Sequence, residues 1–334
     1  MSKFKTLIFL IPIIVSVSCK KNECDTQIVL QPDQLKSLDI NRLEVKLQES
    51  SGVDDVTNVL KKNRSVSNAF FDAQQYPRME ILGKRIYHLY QNPNIDTLLN
   101  EVEAEYGQLE SVEEQLAEAF SKIKVLFPSF QIPRIYTTVS GFYRDMFVSD
   151  SLLVIGLDYF LPMSASYKPH LNQVPKYIQE RYNKEHLPAV VMAYYSGLFT
   201  NVDPKDKTLL AEMIDYGKSI YLRKKLLSCT PEHIIMGYPE DILEDVEKNE
   251  ITIWAHFVNN NLIYETTHRI KTKYIGERPK IQEIGDKCPG RIGRWLGLQI
   301  VESYADTHPD LSIQEIMHYN DYRKMFMESG YNPL

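Results

Sequence analysis

Residues 131–160 read QIPRIYTTVSGFYRDMFVSDSLLVIGLDYF, the one stretch of concentrated β texture in the chain. Residues 131–139 and 151–160 are rich in β-branched and aromatic side chains, which pack well on a pleated surface. Asp145, Ser149 and Asp150 lie between them and supply turn chemistry, so the spacing predicts two strands joined by a turn as a hairpin. A further short strand is expected at residues 40–47, INRLEVKL, where apolar and polar residues alternate.

Outward from this hairpin the period changes to that of helices. Residues 52–64, 67–92, 95–107 and 112–126 place apolar side chains three and four apart, as at Leu116, Phe120 and Ile123, and Pro128 ends the last of them. Beyond the hairpin, Pro188 opens AVVMAYYSGLF, apolar almost all round and so expected as a buried helix. Residues 208–227 form another helix whose basic last turn suits the negative end of the helix dipole. Pro239 starts one reaching about residue 264, and Pro289-Gly290 introduces one over 292–306. Ser312 with Glu315 makes a capping box for a last helix ending near Gly330. The fold class expected is α+β, predominantly α-helical, with a small sheet and C-terminal helices.

The first 19 residues, MSKFKTLIFLIPIIVSVSC, combine two lysines, an apolar run of 11 residues from Leu7 to Val17 and a small residue before Cys19. The run is too short to span a bilayer, which takes about 20 apolar residues. It reads as a lipoprotein signal, with Cys19 as the lipidated N-terminus of the mature chain. The expected organisation is a signal over 1–18, a lipidated tether over 19–33 and one domain over 34–334. Lys20 and Lys21 beside the anchor favour the periplasmic side of an inner or outer membrane.

The chain has 38 Lys and Arg against 44 Asp and Glu; without Lys3 and Lys5 the balance is 36 to 44, a net of −8. That balance, with no extended basic stripe, argues against nucleic acid as a partner. Of the remaining cysteines, Cys229 and Cys288 are the plausible bridge in an exported chain and Cys24 is expected to be unpaired in the tether; two separate buried thiols are the alternative.

Signatures of catalysis are scarce. The histidines at 88, 170, 186, 233, 256, 268, 308 and 318 contain no H-E-x-x-H pair one helical turn apart, so neither a metal nor another cofactor is expected. G-x-S-x-G is absent. Gly217-Lys218-Ser219 imitates the end of a phosphate loop, but Glu212 stands where the first glycine belongs. Asp145, Asp150 and Asp158 are the densest carboxylate group near the strands; acid-base or cation roles and simple turn chemistry both explain them. In GRIGRWLG (290–297), Gly293 and Gly297 stand one turn apart and allow close approach of another element, while Arg291 and Arg294 share a face. Packing is one reading of this segment; an anion or partner-carboxylate site at a helix N-terminus is the other.

FPSFQIPRIYTTVSGF, LLVIGLDYFLP, LLAEMIDYGKSIYL, NEITIWAHF, CPGRIGRWLGLQIVESY and the terminal GYNPL, in this order after a lipoprotein signal, resemble the gliding-motility lipoprotein GldB family of Bacteroidetes. That family is similar to a group of zinc peptidases, and the resemblance implies a zincin-like scaffold. HLPAVVMAYYSGLF then stands in the place of the metal helix, without ligands, and Asp215 stands near the place of the third ligand. The implied role is non-catalytic: an anchored lipoprotein that binds other cell-envelope proteins in gliding motility and type IX secretion. The rival expectation is a metal- or carboxylate-dependent hydrolase.

Overall fold

The computed structural model describes residues 27–201 and 203–333 together with Cys24; the signal and Cys19 lie outside the described residues. The chain is α+β and mostly helical, around one four-stranded sheet of order β1-β2-β4-β3. The strands are β1 (Ile40–Arg42), β2 (Arg134–Thr138), β3 (Met146–Val148) and β4 (Leu152–Gly156).

The expected hairpin is rearranged. β2 and β4 lie side by side but parallel, with Ile135 opposite Leu153 and Thr138 opposite Gly156. The antiparallel partner of β4 is β3, with Phe147 opposite Val154. Residues 146–148, inside the stretch read as a turn, form a strand of their own, so the chain crosses over before it returns along β2. β4 is buried at every residue, as a central strand covered on both faces should be. The expected strand over 40–47 is a strand only to Arg42. Leu43 and Leu47, four apart, instead form the buried stripe of a helix, 0% and 1% exposed; a run this short fits either period.

Before β2 the helices are α1 (Leu43–Gln48), α2 (Val53–Lys62), α3 (Arg64–Ala69), α4 (Met79–Tyr90), α5 (Pro93–Tyr106) and α6 (Glu110–Leu126). The helix expected over 67–92 is thus two, divided where Asp72 takes a left-handed conformation and Pro77 follows. After β4 come α7 (Lys176–Gln179), α8 (Leu187–Ser196), α9 (Leu209–Leu226), α10 (Glu232–Met236), α11 (Glu240–Lys248), α12 (Glu250–Asn259), α13 (His268–Ile275), α14 (Ile292–Thr307), α15 (Ile313–His318) and α16 (Tyr322–Ser329). The long helix expected after Pro239 is broken at Asn249 and again at the left-handed Asn261. The capping box at Ser312 and Glu315 is formed, but its helix stops at His318 and a second one follows.

The closest packing in the C-terminal half is between α9 and α14. A Cβ on Gly297 would sit 1.8 Å from the Met213 carbonyl oxygen, and one on Gly217 would sit 2.2 Å from the Gly297 carbonyl carbon. The two backbones touch because neither glycine has a side chain. No helix among the described residues is long and apolar enough to cross a membrane.

The disulfide differs from the expected one. Cys229, just beyond α9, pairs with Cys24, with Cα atoms 4.5 Å apart, and not with Cys288. Cys288 is a buried free thiol whose pKa burial pushes up to about 12. It is held within the loop before α14 by backbone bonds, to Gly285 O from its own amide and from Ile281 N to its carbonyl. The segment read as a free tether is therefore fastened to the folded body.

Candidate functional site

A cavity of about 340 Å³ opens between α8, α9 and the start of α14. Its two walls have opposite chemistry. Ala189, Val190, Ala193 and Tyr194 of α8 form an apolar side. Across it, Asp215, Ser219 and Arg223 of α9 recur every four residues and so lie on one line of the helix, flanked by Tyr216 and Ile220. Ser196 and Ser219 join the two helices through a buried hydroxyl–hydroxyl bond of 2.8 Å.

Four guanidinium groups converge here: Arg181, Arg223, Arg291 and Arg294. Three have fixed positions. Arg181 pairs with Glu277 at 2.7 Å, and Arg291 reaches the other oxygen of the same carboxylate at 3.5 Å. Arg291 also donates to Gly237 O at 3.0 Å and lies over the Tyr238 ring. Gly237 is left-handed and bare, with Arg181 and Arg291 both packed against it. Arg294 donates its Nε to Ile275 O at 2.6 Å and stacks on Tyr216, 4.2 Å from guanidinium carbon to ring centre.

Arg223 is different. Its Nε is buried and has no hydrogen-bond partner among the described residues. Desolvation, with the charges of Arg291 and Arg294, pulls its pKa down to about 9; burial and the Arg181 charge take Arg291 to about 10. Both remain charged at neutral pH, so the cavity holds cations in excess of its carboxylates. His186, at the mouth, is pushed down to about 4 by burial and by His233 and Arg181, so it is neutral there at pH 7. Asp215, two turns before Arg223 on the same wall, has its pKa raised by burial, and its Oδ1 is without a hydrogen-bond partner among the described residues. An anion entering between Arg223, Arg291 and Arg294 would meet charge-assisted donors of the strongest kind.

The carboxylates expected near the strands do not assemble. Asp158 is fully buried, and burial raises its pKa to about 6 against the pull of its hydrogen bonds. It accepts from the backbone amides of Phe142 at 2.7 Å and Ser140 at 3.2 Å, pinning the loop in which Gly141 and Phe142 are left-handed. Asp145 accepts from Tyr182 Oη and from its neighbour's amide, both at 2.7 Å. Asp150 is exposed in the turn between β3 and β4. These are turn and loop roles. Among the described residues no three His, Cys, Asp or Glu side chains come together as a metal ion requires, and α8 offers the cavity only apolar groups, Tyr194 and the nearby His186.

Arg291 and Arg294, singled out together with their glycines, do stand in the site, and Gly297 makes the close approach expected of it, to α9. Arg181, Arg223 and Glu277 were not anticipated. They come from separate parts of the chain, and Arg223 belongs to the basic last turn that the sequence assigns to the helix dipole; its four-residue spacing from Ser219 and Asp215 is the one available signal.

The fold and site together define a mostly helical α+β protein built around a cationic, half-apolar cavity. The family model described as gliding motility protein GldB matches residues 24–333, nearly all of the chain, and the protein belongs to that family. No curated protein and no solved structure matches it.

Proposed function

We propose that the chain is a membrane-anchored envelope lipoprotein, acylated at Cys19, that serves gliding motility and the associated type IX secretion machinery by binding a partner rather than by catalysis. The family supports the gliding-motility connection. The observation that carries the binding role is the content of the cavity. α8 and Asp215, which the resemblance puts in the places of a metal helix and a third ligand, border one space. Four arginines outnumber the two carboxylates, Asp215 and Glu277, in its lining and His186 stands there alone, a balance that suits an anion better than a zinc ion. With Cys24 bonded to Cys229, no more than five residues separate the anchor from the body, a reach of about 18 Å. The body is then held close to the lipid surface, as suits a protein that meets envelope partners.

Crosslinked pull-downs from envelopes test this, comparing the native chain with Arg223→Met and Cys19→Ala. The expected result is a defined partner lost on Arg223→Met. Retention of the same partner by Arg223→Met, or a hydrolytic activity that disappears with stoichiometric zinc on chelation, would overturn it.

A further inference from the structure

We propose that the cavity is a binding site for a phosphate monoester on an apolar carrier, with the phosphate held by Arg223, Arg291 and Arg294 and the carrier lying along α8. The inference rests on the reading of this cavity as the recognition point and adds the chemistry of what is recognised.

Charge balance selects the head group. Glu277 is shared by Arg181 and Arg291 and neutralises one of the two. Arg294 is held by a carbonyl and an aromatic face, and Arg223 has a buried Nε with no hydrogen-bond partner among the described residues; Asp215 on the same wall offsets one charge, which leaves the four arginines with about two positive charges over Glu277 and Asp215. A single carboxylate would answer one of these charges. A phosphate monoester carries about −1.5 to −2 at neutral pH and has three acceptor oxygens, so it can engage several guanidinium forks at once. Arg291 and Arg294 also stand at the start of α14, a helix of 16 residues whose positive end adds to the field. The opposite wall selects the rest of the ligand. Ala189, Val190 and Ala193 offer no hydrogen bond, so they favour an apolar body over a sugar or a second charge.

The same head group can come from a soluble organophosphate or from a lipid. Calorimetry with the purified full-length chain would use three probes: inorganic phosphate, hexyl phosphate and hexanoate. Hexyl phosphate is expected to bind about tenfold or more tightly than either of the others, because only it meets both walls. Arg223→Met and, independently, Arg294→Met should each weaken it by on the order of tenfold to a hundredfold. Two variants are used so that misfolding of one does not decide the outcome. Vesicle flotation then separates the sources. An acylated chain inserts into any bilayer, so this arm uses Cys19→Ala with phosphatidylcholine vesicles, with and without phosphatidate. Flotation only with phosphatidate, competed by hexyl phosphate, supports a lipid source; hexyl phosphate binding without flotation supports a soluble one.

No heat with hexyl phosphate, equal affinity for hexanoate, or unchanged binding in both arginine variants would overturn the proposal. If hexyl phosphate fails while Arg223→Met still loses its envelope partner, the phosphate is wrong and the binding role stands. Hexyl phosphate binding with an unchanged pull-down would mean the reverse.

Discussion

Lys218 and Arg223 are cations on the same helix, α9, and the fold treats them in opposite ways. Lys218 is 0% exposed, yet every need of its ammonium group is met nearby. It donates to Met317 O and Tyr319 O, each at 2.8 Å, and stands 5.1 Å from the Tyr322 ring. Burial lowers its pKa to about 8, with Asp215 opposing, and it stays mainly protonated at neutral pH. Arg223 faces other arginines and an open cavity, with its Nε unanswered. A buried charge costs several kcal/mol unless it is paired and hydrogen-bonded. A cation kept for structure arrives with its acceptors built in, as Lys218 does. Arg223, whose Nε finds no acceptor among the described residues, is the cation that the proposed ligand would answer.

The strongest way to break the contrast is to separate the helices that create it. Gly297→Ala puts a methyl group where the Met213 carbonyl oxygen already lies, and backbone cannot rotate out of the way as a flexible side chain can. A loss of about 3 kcal/mol or more is expected, at or above the top of the usual overpacking range. α14 would be driven off α9, spreading Arg291 and Arg294 away from Arg223. Urea unfolding measures the first effect and hexyl phosphate calorimetry the second. A variant of native stability would show that the contact between α9 and α14 is looser than described.

A second variant removes the satisfied member of the pair. Lys218→Met keeps much of the volume but leaves the carbonyls of Met317 and Tyr319 without their donor in a buried site. The cost expected is about 2 to 3 kcal/mol, from desolvated acceptors with no replacement. Ligand binding in the cavity should be little changed. A neutral or stabilising result would mean that Lys218 is as poorly served as Arg223, and the contrast would fail.

Neither half of this contrast could be read from sequence, because Lys218 depends on Met317 and Tyr319 and Arg223 on Arg291 and Arg294, all far along the chain. Signals confined to a few neighbours survived: the helix expected over 208–227 forms as α9, the Ser312 capping box forms, and GRIGRWLG does pack against a helix through Gly297. Signals that needed a distant partner did not. The pairing of β2 with β4 depends on a three-residue strand between them that looked like turn. Cys24 finds Cys229 across 205 positions, a pairing that spacing cannot rank against others. In the same way Arg223 looked like an ordinary C-terminal helix cation until α14 brought Arg291 and Arg294 beside it. The candidate carboxylates misled for a related reason: Asp158 is buried because it binds the amides of its own loop, and from sequence a loop-pinning aspartate is indistinguishable from a catalytic one.

The smallest expected effect is the most discriminating, because its sign decides. Arg223→Met removes a charge whose Nε meets no acceptor among the described residues and relieves its repulsion with Arg291 and Arg294, while the thioether keeps the apolar part of the side chain in place. Replacing a buried charge by an apolar group of similar size is often neutral or stabilising. Because Arg223 is half-buried, a gain of up to about 1 kcal/mol is expected, read as a higher urea midpoint with an unchanged slope. The advantage should shrink or reverse when hexyl phosphate is present, because only the native chain then gains from the ligand. Stability and binding moving in opposite directions is the signature of a residue kept for a ligand at the expense of the fold. If Arg223→Met instead loses stability without ligand, as Lys218→Met should, then Arg223 has partners within the fold and the two cations are of one kind.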